Sequence, residues 1–256
     1  IRLELGKTRI LYSAHALMLL IHSKIWRLAR VKALQSLSRT MATPNTKKKI
    51  SIDVISDTVC PWCYVGKRRL ERAMARFADR AHFTVRWLPY QLNPDASKEG
   101  VVKMDYYNQK FGAARVAQMI PHMTRTFADE GLQYSVGGLT GNTLDSHRLI
   151  AWAEKFGAEK QNALVEELFQ NYFCQEKHIS DRGVLLAAAV KVGLPVDEAA
   201  AVLDDPRAHL QEVQQQLDRA RGIGGVPFFI INNSYKLSGA QPPELFEEAF
   251  EEICSR

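Results

Sequence analysis

Apolar and polar positions alternate in the first well-patterned stretch of the chain. Ile50, Ile52 and Val54 fall on one face, Ser51 and Asp53 on the other, the period-two pattern of a half-buried strand. Leu70, Met74 and Phe77 then recur at three- and four-residue spacing, which predicts a helix running to about residue 79. Residues 82–88 read as a second strand, closed by Pro89. Strand, helix and strand with a connection of this length predict a parallel crossover.

From residue 101 to 204 the pattern is helical. Segments at 101–111, 113–130, 144–156, 161–176, 181–192 and 197–203 are separated by Gly112, Gly131, Gly137-Gly138, Gly141, Gly193 and Pro195. A further helix is expected over 206–221. Strand signals return at 226–231 and 235–237, joined by Asn232-Asn233-Ser234, which is hairpin chemistry. Pro242-Pro243 opens a last helix carrying Leu245, Phe246, Ala249, Phe250 and Ile253. No internal repeat is apparent. The order β-α-β, helical block, α-β-β-α predicts an α/β sheet domain, 49–98 with 206–256, interrupted by an inserted helical domain over 99–205.

Charge changes the picture at the N-terminus. The net charge of +6 is misleading, because residues 1–40 hold eight basic residues and one acid, Glu4, while the rest of the chain carries 26 basic and 27 acidic residues. The basic character therefore belongs to the leader, and nothing in the body argues for nucleic acid. Two readings of residues 1–48 stay open. The Arg-, Ser- and Leu-rich composition fits an organelle transit peptide, mitochondrial or plastid. Met41-Ala42-Thr43 would equally serve as a start, making the preceding residues non-native. Either way the segment is expected to be disordered. No apolar run approaches the ~18 residues of a membrane span, so no membrane role is expected.

Four cysteines in 256 residues do not resemble a secreted disulfide scaffold. The usage suits a reducing, cytoplasmic compartment with one pair reserved for chemistry or metal. That pair is Cys60-Pro61-Trp62-Cys63, placed where the first helix begins. Unpaired N–H groups and the helix dipole stabilise a thiolate there, so the Cys60 pKa is expected below that of a free thiol. Pro61 suits the first helical position, where its missing N–H is not needed. Cys60 is then the attacking sulfur and Cys63, one turn in, resolves the mixed disulfide. The competing reading is a zinc site completed by Cys174 and His178, four apart on one predicted helical face; it is disfavoured by their distance along the chain and by the Pro-Trp insert. Pro227, starting an apolar strand after Gly224-Gly225-Val226, reads on local grounds as a loop-to-strand boundary.

Ser56-Asp57-Thr58-Val59-Cys60-Pro61-Trp62-Cys63-Tyr64-Val65-Gly66 resembles the active-site segment of DsbA-like thioredoxin-fold proteins, in their FrnE-like branch, with 2-hydroxychromene-2-carboxylate isomerases and kappa-class glutathione transferases as relatives. Gly225-Val226-Pro227-Phe228-Phe229, Ser238-Gly239-Ala240-Gln241-Pro242-Pro243 and Asn142-Thr143-Leu144-Asp145-Ser146-His147-Arg148 resemble further segments of that family in the same order. The resemblance implies a thioredoxin fold with a helical insertion. It implies a cis peptide at Pro227 beside the cysteines, with Val226 offering its backbone to substrate.

The implied activity is thiol–disulfide exchange with protein thiols or glutathione, with Cys60 and Cys63 catalytic and Pro61, Trp62, Val226, Pro227 and His147 around the substrate. No metal and no bound cofactor is expected, with glutathione as a candidate co-substrate. The alternative is a glutathione-dependent isomerase or transferase. Those relatives usually carry Ser at the first cysteine, so two retained cysteines favour dithiol chemistry. Trp62 stands where DsbA itself usually has His, which implies a less oxidising centre; each ~30 mV is about tenfold in the exchange equilibrium. A homodimer is compatible with the resemblance. His147, on an apolar stretch with Leu144, Leu149, Ile150 and Trp152, also reads as a satisfied structural histidine. Asp53 is expected to be either buried or near the redox centre.

Overall fold

The computed structural model describes residues 47–256, so both readings of the leader lie outside the described residues. Four strands form the main sheet: β1 (Lys48–Ser56), β2 (Ala81–Pro89), β5 (Phe228–Ile231) and β6 (Tyr235–Ser238), in the order β2-β1-β5-β6. β1 pairs in parallel with β2 from Lys48↔Ala81 to Ser56↔Pro89, and antiparallel with β5 from Ile52↔Ile231 to Ile55↔Phe228. Alternation sets the central strand: Ile50, Ile52 and Val54 are buried, while Asp53 on the other face holds Arg86 of β2 in a two-pronged ion pair at 2.8 and 2.9 Å. Asp53 is therefore a surface partner of β2. The β5–β6 hairpin turns at Asn232 and Asn233, with φ of 47° and 57°, a left-handed conformation that asparagine tolerates.

Helix α1 (Pro61–Arg76) crosses from β1 to β2, and α9 (Pro243–Ser255) packs with it on the sheet. Phe229 meets Phe246 edge to face at 4.9 Å, and Phe77 meets Phe250 at 5.6 Å. Between β2 and β5 run α2 (Lys103–Phe111), α3 (Ala113–Asp129), α4 (Leu144–Ala153), α5 (Ala158–Phe169), α6 (Arg182–Lys191), α7 (Val196–Asp204) and α8 (Leu210–Arg219). This is the split α/β sheet with a helical insertion that the pattern predicts.

The insertion grips α1 through Tyr64. Its ring stacks on Phe169 at 5.0 Å and meets Phe127 edge-on at 5.8 Å, and its hydroxyl donates to Glu166 at 2.7 Å. Buried Lys67 donates to the same carboxylate at 2.8 Å. An aromatic core and a shared ionic contact thus fix the orientation of the helix that begins at the cysteines.

Three segments differ from the sequence pattern. The helix expected over 161–176 changes to π-type turns at Gln170–Cys174, closed by Gln175 N–H donating to the Gln170 carbonyl at 3.1 Å. The wider turn buries Asn171, Tyr172 and Phe173 in succession, which a 3.6-residue repeat cannot do. The helix expected from 206 starts at Leu210, because the Arg148 guanidinium takes the carbonyls of Val202, Asp205 and Ala208. The strand expected from Val226 starts at Phe228. A two-residue ladder, β3 (Val101–Val102) with β4 (Leu139–Thr140), is too short to leave a sequence signal.

Candidate functional site

The site lies where β1 ends and α1 begins. Cys60 is the N-cap of α1, in extended conformation, and Pro61 occupies the first helical position. Cys63 N–H donates to the Cys60 carbonyl at 3.0 Å, which closes the first turn and sets both side chains on one side of the helix end. Both thiols are free. Cys60 is 4% exposed and Cys63 fully buried. Burial, reinforced by the neighbouring Cys60 sulfur, pushes the Cys63 thiol well up. It therefore stays protonated at neutral pH, and we expect iodoacetamide to modify Cys60 well before Cys63, as mass spectrometry of partly alkylated protein would read. Equal labelling of the two would contradict this order.

Opposite the cysteines, the Val226–Pro227 peptide is cis. The Cys60 thiol donates to the Val226 carbonyl at 3.5 Å. This contact accounts for the late start of β5, because that carbonyl faces the sulfur and not a strand. Pro227 lies against Gly66 of α1. A Cβ at Gly66 would stand 2.9 Å from Pro227 Cγ and 3.1 Å from Phe229 Cζ. Alanine normally favours a helix interior by ~1 kcal/mol over glycine, but here the rigid ring leaves it no room. Gly66→Ala is expected to lose about 1–2 kcal/mol net, measured by urea denaturation. A stabilised variant would show that Pro227 can yield.

Polar groups behind the cysteines tie three segments together. Asp57, fully buried, accepts from Leu92 N–H at 2.7 Å. His147 Nε2 lies 2.9 Å from the Tyr90 carbonyl and 3.3 Å from Asp57 Oδ1. A carbonyl only accepts, so Nε2 carries the hydrogen and shares it between the two oxygens. Thr58 and Ser146 hydroxyls meet at 2.9 Å, and Ser146 donates to the Thr143 carbonyl at 2.7 Å. Asn142 donates to the carbonyls of Pro94 and Ala96. The segment 142–148 thus clamps the loops after β1 and β2, and His147 is buried within that clamp.

A cavity of about 660 Å³ opens beside Cys60. Cys60, Pro61, Trp62, Val226 and Asp57 line one part of it, and side chains of α2 and α3 another. Trp62 is 37% exposed at its edge, with its ring 6.0 Å from that of His122. A second cavity of about 390 Å³, bordered by Tyr90, Gln214 and Arg221, contains neither cysteine. Among the described residues, no group of three or more His, Cys, Asp or Glu side chains comes together as a metal site would need. The Cys60–Cys63 pair, Cys174 and His178 do not form such a group. Also among the described residues, no helix is long and apolar enough to cross a membrane.

Sequence reasoning singled out both cysteines, Pro61, Trp62, Val226 and Pro227, and the structure brings these together. It placed Asp57 and Ser146 within the family-like segments but gave neither a role, and it did not anticipate the contribution of α2 and α3.

The family profile of the DSBA-like thioredoxin domain matches residues 51–251. The chain is 32% identical to a probable DsbA oxidoreductase from Streptomyces coelicolor, whose crystal structure superposes with a TM-score of 0.74 over 81% of this chain and 91% of that one. It is 25% identical over 216 residues to the uncharacterised protein YwbO of Bacillus subtilis, 78% of this chain and 95% of that protein. The fold is also similar to that of the cytosolic disulfide reductase DsbM from Pseudomonas aeruginosa, crystallised with glutathione: TM-score 0.53 and 19% identity, over 80% of this chain and 100% of that one.

Proposed function

The chain belongs to the DSBA-like thioredoxin domain family, and from that premise we propose that it is a thiol–disulfide oxidoreductase working through Cys60 and Cys63. The observation that carries the reading is the Cys60 sulfur at the N-cap of α1, 3.5 Å from the Val226 carbonyl that precedes Pro227. A thiolate formed there meets the positive end of the helix, and a substrate chain approaching Val226 would present its sulfur to Cys60.

In the reducing direction the Cys60 thiolate attacks one sulfur of a substrate disulfide. A mixed disulfide forms and the other substrate sulfur leaves as a thiolate. Cys63 loses its proton and attacks Cys60, the Cys60–Cys63 bond closes, and the second substrate thiol departs. Two electrons have passed from the dithiol to the substrate. A substrate dithiol attacking the oxidised pair runs the same steps in reverse. Protein thiols and glutathione are the partners this chemistry calls for. Glutathione in the DsbM crystals supports its inclusion.

Cys63→Ser tests the reading. The variant still captures substrate but has no resolving sulfur, so incubation with glutathione disulfide should leave a stable adduct on Cys60, visible by mass spectrometry, while the wild type releases it. The alternative, a glutathione-dependent isomerase or transferase, needs no resolving cysteine. Full turnover of a conjugation assay by Cys63→Ser, without trapped adduct, would overturn the exchange reading in its favour.

A further inference from the structure

We propose that the cavity between the dithiol and helices α2 and α3 is a binding site for small aromatic disulfides that carry a carboxylate. The inference rests on the exchange reading above and names its substrate class. The volume, about 660 Å³, falls within the ~300–1,000 Å³ range of small-molecule sites. Cys60 and Val226 lie at one side of it, so a ligand body held in the cavity places its sulfur within reach of Cys60.

The lining specifies the body. The rings of Tyr106, Tyr107, Tyr134 and Tyr172 border the cavity together with the thioethers of Met119 and Met123. Aromatic faces and polarisable sulfur both favour an aromatic guest over an aliphatic one of equal size.

Charge specifies the end group. Lys110 and Arg115 also line the cavity. Lys110 donates to the Tyr106 hydroxyl at 2.9 Å and lies over the Tyr106 and Phe111 rings, and Arg115 lies over Phe111. Among the described residues neither cation forms an ion pair with a carboxylate. The two carboxylates at the cavity, Asp57 and Asp95, come from the loops after β1 and β2, and Asp57 is already engaged by Leu92 and His147. A carboxylate on the far end of the ligand body is therefore complemented by the two side-chain cations at the α2–α3 end.

The reaction balances as follows. The Cys60 thiolate bonds to one sulfur of the aromatic disulfide and one aryl thiolate leaves. Cys63 gives up its proton to solvent, closes the Cys60–Cys63 bond and releases the second aryl thiolate. Thiols such as glutathione then return the dithiol and are themselves oxidised to the disulfide.

Stopped-flow single turnovers of the reduced full chain test this with three probes: dithiobis(nitrobenzoate), which is aromatic and anionic; dithiodipyridine, aromatic and neutral; and bis(hydroxyethyl) disulfide, aliphatic and neutral. Reversing both cations, Lys110→Glu with Arg115→Glu, should lower the ratio of the nitrobenzoate rate to the dipyridine rate about tenfold. Met119→Trp, which fills the cavity, should lower the ratio of either aromatic rate to the hydroxyethyl rate about tenfold. If both ratios stay at their wild-type values while all three probes still react through Cys60, the cavity inference falls and the exchange reading stands. If the wild type reacts with none of them faster than Cys60→Ser does, both fall together.

Discussion

Replacing Cys60 by serine should reduce disulfide exchange by at least ~10³-fold, to the level of the uncatalysed reaction. A serine hydroxyl keeps the shape of the N-cap and can still donate to Val226, so the fold should survive. What disappears is the nucleophile, because a hydroxyl is not ionised near neutral pH and has no way to take part in a disulfide. Cys63 is no substitute: it is fully buried, and burial holds it in the thiol form. Cys174 and Cys254 remain in this variant and belong to the π-type turns that follow α5 and to α9, so any activity that persists would have to come from them. The decisive comparison pairs Cys60→Ser with Cys63→Ser under one assay. The first should be inert to glutathione disulfide, and the second should accept one equivalent and stop. A Cys60→Ser variant retaining even a tenth of wild-type turnover would remove this sulfur from the mechanism.

The second large effect lies away from the sulfurs. Arg148 is 1% exposed, yet every arm of its guanidinium is occupied. Nε donates to the Ala208 carbonyl at 2.8 Å, Nη1 to Asp145 at 2.7 Å, and Nη2 to the carbonyls of Val202 and Asp205. Those carbonyls belong to the end of α7 and the turn leading to α8, where helical partners run out. Arg148→Ala strands them, leaves Asp145 with Lys98 as its remaining ion partner, and opens a cavity. Breaking a buried ionic cluster by removing one member costs about 3–5 kcal/mol, a large share of the ~5–15 kcal/mol that holds a typical domain folded. Urea denaturation should register that loss. Arg148→Lys should recover only part of it, since one ammonium cannot span the carbonyls that a planar fork reaches. A variant within about 1 kcal/mol of wild type would show that water replaces the guanidinium.

The parts of this architecture that were legible in the sequence are those whose chemistry is local. Alternation at Ile50, Ile52 and Val54 suffices to define a strand. Cysteines two residues apart around Pro61 suffice to mark a helix start, and Asn232-Asn233 to mark a hairpin. The α/β order with its helical interruption follows from the periods alone. Features set by contacts between distant segments were not legible. Nothing near Tyr172 announces that the helix widens to bury it, and nothing near Pro206 announces that Arg148 will claim the carbonyls there. His147 illustrates the limit within the site. Its apolar neighbours suggested a structural histidine and the family resemblance suggested a place near substrate. Its hydrogen is shared by Tyr90 and Asp57, and Asp57 itself borders the cavity beside Cys60. The cavity was invisible for the same reason, since it is made by α2 and α3 facing a loop some fifty positions upstream in the chain.

The separation between the sulfur and its backbone partner also bears on how the protein is made. Cys60 and Val226 are 166 positions apart, and β5, which lies beside β1 in the sheet, leaves a ribosome only after the whole helical insertion. A nascent chain therefore exposes its dithiol long before the opposing loop exists, and long-range pairings of this kind form slowly. Chains terminated before Gly225 should emerge with reactive cysteines and an unpaired sheet edge, and should be prone to cross-linking and aggregation. Synthesis of the Val226 loop and β5, and not of the cysteines, is the event that gives the Cys60 sulfur its backbone partner.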